Sequence, residues 1–229
     1  MGSGEENVYM SYRKDPLIEN EIYHIYTRSI SNFIIFRSDK NYKRIIESMY
    51  YYLSGKPANK FSKYIQLIDS SKEKAIREIE SSKKIVQLIS YCIMPTHIHL
   101  ILKQLVPGGI SKYMNLLLKS YGKYFNIKYR RHGPLYEGRF KNVRVETHEQ
   151  LLHLTRYVHL NPVSISLVKN PQHWDYSSYK EYIGLIPSEE QICKFSEYID
   201  IKQDEYKQFV CERIDYQKEL QKLKHLLHE

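Results

Sequence analysis

Two histidines one residue apart, His97 and His99 in YCIMPTHIHLIL (91–102), interrupt an apolar run. In an extended chain residues i and i+2 project from one face. Two imidazoles so placed, about 6.5–7 Å apart along the backbone, can both lean onto one metal ion. Ile98 and Leu100 then point the other way, toward a core. The spacing alone leaves a metal pair and a structural or exposed pair both open. Farther along, TRYVHLNP (155–162) carries Tyr157 and Asn161 four residues apart, which puts them on one face of a helix. A phenol oxygen is a nucleophile once deprotonated, and an amide oxygen is a neutral metal ligand. Tyr157 is also one of 22 tyrosines, and packing is its competing role. His159 falls on another face of that helix. It reads as structural or as an outer contact, and His148 and His153 as structural.

The elements that must position these groups follow from pattern. Residues 20–29 alternate apolar and polar residues as a first strand. A helix follows over 38–55, capped by Asp39, with Ile45, Ile46, Met49 and Leu53 on one face and Gly55 as its stop. Residues 56–71 read as loop-rich and 72–84 as a short polar helix. Strands are expected at 85–93 and 97–103, with Met94-Pro95-Thr96 breaking between them because proline lacks an N–H and fixes φ. Met114, Leu117, Leu118, Tyr121 and Phe125 make a helix of 110–131. Residues 135–146 form a strand or hairpin arm. Residues 147–162 form a helix with Thr147 as cap, Gln150 at the capping-box position and Pro162 as its stop. A short helix covers 177–184.

The order β-α-β-β-α-β gives an α+β fold: a ferredoxin-like, split βαβ antiparallel sheet with helices on one face, plus a C-terminal helical extension. Three units are expected. Residues 1–17 are a disordered leader, 18–185 the main domain with a long 55–84 segment, and 186–229 the extension. In the extension Tyr206, Phe209, Tyr216, Leu220, Leu223 and Leu227 make a stripe that docks on the core.

The net charge is +9, and it is unevenly spread. Residues 111–145 hold Lys112, Lys119, Lys123, Lys128, Arg130, Arg131, Arg139, Lys141 and Arg144 against one acid, Glu137. Residues 186–229 are net acidic. Such a basic block with interleaved tyrosines suits a phosphate backbone, and Tyr121, Tyr124 and Tyr129 become possible stacking partners for bases. Arg139 is expected on a phosphate, with an ion pair to Glu137 as the competing account. Three scattered cysteines fit no zinc spacing and suit a reducing, cytoplasmic setting. No apolar run is long enough for a membrane span, and there is no secretion signal.

MPTHIHL (94–100), GPLYEGRFK (133–141) and RYVHLNPV (156–163), in that order, resemble the IS200-like single-tyrosine transposases, and most closely the REP-associated tyrosine transposases. EIYHIYTRSISN (21–32) and WDYSSYKEYIG (174–184) resemble the opening and closing segments of that family. The resemblance spans about residues 18–185; the 55–84 segment and the acidic tail are additions to the compact pattern. It implies His97 and His99 as metal ligands, Asn161 as the third ligand, Tyr157 as the catalytic nucleophile and Mg²⁺ or Mn²⁺ as cofactor. It implies single-strand cleavage and strand transfer at single-stranded or hairpin DNA through a 5′-phosphotyrosine, by a monomer or homodimer. The alternative is a catalytically silent hairpin-DNA binder descended from such an enzyme.

Overall fold

The computed structural model describes residues 16–55, 57 and 59–226, with side chains up to residue 220. Strand β1 (Ile22–Arg28) leads through α1 (Asp39–Tyr51), α2 (Phe61–Tyr64) and α3 (Asp69–Ser81) to β2 (Val86–Ile93) and β3 (His97–Gln104). Helix α4 (Gly109–Lys128), β4 (Lys141–Val145), α5 (His148–Ser164), α6 (Tyr179–Tyr182), α7 (Gln203–Cys211) and α8 (Ile214–Leu226) follow. The sheet order is β2-β3-β1-β4, and each neighbouring pair is antiparallel. This is the expected ferredoxin-like arrangement.

Strand alternation divides the core in two. Tyr23 and Ile25 of β1 and Ile98, Leu100 and Leu102 of β3 pack with α1 and α4 on one face. Ile101, Ile89 and Cys92 face the other way, into a second core built by α5, α6 and α7. The helices of the split βαβ unit thus share a face as expected, while α5 and the extension cover the opposite one. A bulge helps to set this partition. Between Leu88 and Ser90 the β2–β3 register shifts, leaving Ile89 without a partner and turned toward the second core. Helix α4 starts where the chain must pass close to β2: a Cβ on Gly109 would stand 2.3 Å from the Ile85 carbonyl oxygen.

Four local expectations change. Ser38, not Asp39, occupies the α1 N-cap position, and Asp39 lies in the first turn. The loop-rich 56–71 passage contains α2, because Phe61 and Tyr64 bury against Tyr51 and make a local apolar cluster. Pro162 does not stop α5, which continues to Ser164. The proline removes the N–H that would bond the Val158 carbonyl, and the Asn161 side chain supplies a donor instead: Nδ2 lies 3.4 Å from the Val158 oxygen and 3.0 Å from the Tyr157 oxygen. The extension stripe is not one seam. Tyr206 is buried beside α5, but the break between α7 and α8 leaves Tyr216 exposed. Leu223 and Leu227 have no described side chains.

Residues 1–15 of the expected leader lie outside the described residues. Pro16 and Leu17 are tied to the sheet: the Tyr23 hydroxyl donates to the Pro16 carbonyl and Gln104 Nε2 to that of Leu17. No described helix is long and apolar enough to cross a membrane.

Candidate active site

His97 and His99 stand on the sheet face that α5 covers. Their ring centroids are 5.0 Å apart with planes at 84°. Each ring has one nitrogen engaged: His97 Nδ1 meets Thr96 Oγ1 at 2.9 Å, and His99 Nδ1 meets His24 Nε2 at 2.9 Å. That leaves Nε2 of each as the nitrogen for a cation, with the other fixed by an outer partner. Burial holds both rings neutral. The His97 pKa falls to about 4, chiefly from desolvation with Arg28 adding, and that of His99 is driven well below the ordinary value. Neutral imidazole is the metal-binding form.

Helix α5 brings Tyr157 against His99 and its neighbour His24. Its ring meets His99 edge-on at 5.8 Å and His24 at 6.1 Å between centroids. Desolvation raises the phenol pKa above its ordinary value, Tyr26 adds to the rise, and the Arg28 charge opposes it. Asn161 lies one helical turn on, buried, with its Nδ2 committed to backbone carbonyls, so its amide oxygen is the atom left for a ligand. Among the described residues no three His, Cys, Asp or Glu side chains are grouped to hold a metal. The two neutral imidazoles are the histidine donors gathered on this face, and Asn161 stands on α5 one turn beyond Tyr157.

Three residues that sequence reading passed over complete the site, all on β1. His24, Tyr26 and Arg28 alternate onto one face, and Tyr26 and Arg28 pair directly with His99 and His97. His24 stacks on His99 at 5.1 Å, and Tyr26 stacks at 6.2 Å. The signal was the period-two pattern of IYHIYTR, but only strand pairing shows that β1 lies beside β3.

His159 is structural, as read. It is fully buried, bonded through Nδ1 to the Tyr206 hydroxyl at 2.7 Å and through Nε2 to Ser178 Oγ at 2.8 Å and Ser90 Oγ at 3.1 Å. It thereby ties the extension to β2 under the site. His153 sits at the surface against Arg156.

The basic residues do not share one surface. Lys141 pairs with Tyr26 across β1–β4 and so stands on the site's face. Arg144 points to the opposite face and forms an ion pair with Glu21 at 2.9 Å. Lys112, Lys119 and Lys123 are exposed on α4, which packs against the far face of the sheet. Lys128 bonds the Tyr124 hydroxyl, and Arg131 bonds Asn126 and Gly133. Arg130 and Arg139 are exposed. Tyr121 is core, its hydroxyl donating to the Ile35 carbonyl at 2.7 Å. Tyr124 and Tyr129 both bond Asn41.

The family model for IS200-like transposases matches residues 46–161, just over half of the chain. That span includes both histidines, Tyr157 and Asn161 and omits β1. A solved structure of a REP-associated tyrosine transposase bound to a REP hairpin is similar in fold, with a TM-score of 0.50 and 15% identity, over 84% of this chain and 99% of that one. No curated protein matches the chain.

Proposed function

Because the chain belongs to the IS200-like transposase family, we propose that it is a metal-dependent single-strand DNA endonuclease and strand transferase acting at hairpin DNA. His97 Nε2, His99 Nε2 and the Asn161 amide oxygen would hold Mg²⁺ or Mn²⁺. Bound there, the ion would withdraw charge from a scissile phosphate. Tyr157 is the nucleophile. Its oxygen bonds to phosphorus, the bond from phosphorus to the 3′ oxygen breaks, and the phenol proton leaves to solvent while the 3′ oxygen takes one up. The products are a 5′-phosphotyrosine and a free 3′-OH. Reversal onto a new 3′-OH rejoins DNA without another energy source, because the phosphodiester energy stays in the covalent link.

Arg28 supports the difficult part of this step. An ordinary phenol has a pKa near ~10, and burial raises that of Tyr157 further. A guanidinium that favours the phenolate and attracts a phosphate works against both costs. Lys141, on the same face, adds a phosphate contact. Asn161 serves twice, as ligand and as the donor to the Tyr157 and Val158 carbonyls where α5 passes Pro162.

The reading rests chiefly on one observation: the Tyr157 ring lies 5.8 Å from the His99 ring within a single chain. The test is a labelled hairpin oligonucleotide incubated with Mn²⁺ or Mg²⁺ and run on a denaturing gel. A covalent protein–DNA adduct, lost in Tyr157→Phe, is the expected result. Tight hairpin binding with no adduct under either metal would leave the silent-binder alternative standing.

A further inference from the structure

Helix α5 is held from two sides. One side presents Tyr157 to His99. The other meets α7 of the extension, which lies beyond the residues that the family model matches. At about 100° per residue, His159 stands about 200° round the helix from Tyr157. There it meets Tyr206, a fully buried residue of α7, whose hydroxyl lies 2.7 Å from His159 Nδ1. A second grip comes from Phe209, one turn farther along α7. Arg156 lies over its ring at 4.1 Å and donates to its carbonyl at 3.4 Å. The two grips, at residues 156 and 159, bracket Tyr157 in the chain.

The bonding does not end at α5. His159 Nε2 reaches Ser178 Oγ at 2.8 Å and Ser90 Oγ at 3.1 Å, and those two hydroxyls lie 3.0 Å apart. The Tyr91 N–H donates to Ser178 Oγ. Ser90 and Tyr91 belong to β2, and the next residue, Cys92, pairs with His99. One buried chain of bonds thus runs from the extension, through the helix that carries Tyr157, to the strand beside His99. It crosses the second core, where α5 otherwise rests on apolar side chains such as Leu151, Val158 and Val163. Apolar contact presses a helix down without fixing a direction, whereas a hydrogen bond is directional. Burial lowers the His159 pKa to about 3, so the ring stays neutral and the chain of bonds unchanged across ordinary pH.

Roll of the helix is the motion that matters. The Tyr157 oxygen stands about 9 Å from the helix axis, the backbone radius plus the side-chain length, so a roll of about 6° moves it about 1 Å. A shift of about 1 Å can cost about 100-fold in rate.

We infer that Tyr206 is a positioning residue for Tyr157: docking of α7, through His159, fixes the roll of α5 that aims the phenol at His99. The extension is then part of the frame of the active site rather than an appended tail. The aiming stands on geometry alone; its effect on cleavage rests on the function proposed above.

The test compares the full chain with Tyr206→Phe and Tyr113→Phe. Each variant deletes a buried tyrosine hydroxyl and keeps the ring. Tyr113 serves as the control because its hydroxyl bonds the Met49 carbonyl at 3.2 Å in the other core. With Tyr157 carried as 3-fluorotyrosine, fluorine NMR below the melting temperature reports the surroundings of the phenol without DNA or metal. Tyr206→Phe should shift or broaden that resonance, and Tyr113→Phe should leave it in place. With a hairpin oligonucleotide and Mn²⁺, Tyr206→Phe should form covalent adduct about tenfold more slowly at saturating DNA, with the half-saturating concentration within about twofold of the parent. Tyr113→Phe should keep the parent rate. An unmoved resonance in Tyr206→Phe overturns the inference. So does a parent rate despite a moved resonance, and so do equal changes in the two variants, which mark a general loss of stability. If Tyr206→Phe does not fold, Arg156→Met, which releases the second grip and keeps bulk over Phe209, is judged by the same two readouts. If no chain forms adduct, the parent included, the function proposed above fails and the resonance alone decides the aiming.

Discussion

Replacing His24 by leucine tests how the second histidine of the pair is set. His24 Nε2 lies 2.9 Å from His99 Nδ1, and both rings are buried. Desolvation lowers the His24 pKa to about 4, so the ring is neutral at physiological pH. A neutral His24 protonated on Nδ1 can accept from the His99 Nδ1–H, which leaves the His99 Nε2 lone pair for a cation. Leucine fills similar space but accepts nothing, and the buried His99 N–H loses a bond worth about 1–3 kcal/mol when left unmade. His99 can recover part of that by shifting its proton to Nε2, the tautomer that leaves no lone pair on the nitrogen facing the cation. The expected loss in metal affinity is therefore about 10–100-fold, or about 1.4–2.7 kcal/mol. The assay is Mn²⁺ titration followed by electron paramagnetic resonance, with adduct formation measured at limiting and at saturating metal. His24→Leu should need more metal yet approach the parent rate at saturation. His24→Gln, whose Oε1 can accept at the place of Nε2, should recover most of the affinity. Unchanged affinity in His24→Leu would refute the orienting role. Complete loss of binding in both variants would make His24 a ligand instead.

Three further outcomes follow from burial and bonding. His24, His97 and His159 have folded-state pKa values of about 4, 4 and 3 against an ordinary 6.5, so the unfolded chain takes up protons first as pH falls. Stability should be fully present above pH 6.5 and fall below it, by about 2 kcal/mol per buried histidine at about pH 5, read from melting temperature against pH. Glu181 behaves oppositely: burial raises its pKa to about 7 from 4.5, although the Cys193 N–H donates to it. Glu181→Gln keeps an acceptor for that N–H without burying charge, so it should stabilise the protein by about 3 kcal/mol at about pH 8 and under 1 kcal/mol at about pH 5. Equal shifts in melting temperature at the two pH values would contradict the burial argument. Asn161→Ala should cost about 1–2 kcal/mol in metal-free urea unfolding, because the Val158 carbonyl beside Pro162 loses its donor; no change would leave the helix continuation unexplained.

Local pattern was enough for the strand alternation and for the faces it implies. His97 and His99 had to point together once 97–103 was a strand, and Tyr157 and Asn161 had to share a face once 147–162 was a helix, because both periods are fixed by backbone geometry. The order of elements was enough for the ferredoxin-like topology, since short connections and antiparallel pairing leave few alternatives. Non-local matters were not legible. That β1 pairs with β3 in the register Tyr26↔His99 is a contact between segments far apart in sequence, so His24 and Arg28 could not be assigned to the site from their own neighbourhood. Pro162 looked like a stop because the rule counts only the missing N–H, whereas Asn161 supplies a substitute donor. The basic block looked like one surface because it is contiguous in sequence. Tertiary packing put α4 on the far face, away from the nucleophile. Sequence by itself determined which side chains could act, since their chemistry and their face on an element are local properties. The structure alone decided which of them meet, because strand register and helix docking are set by burying apolar surface across the whole chain.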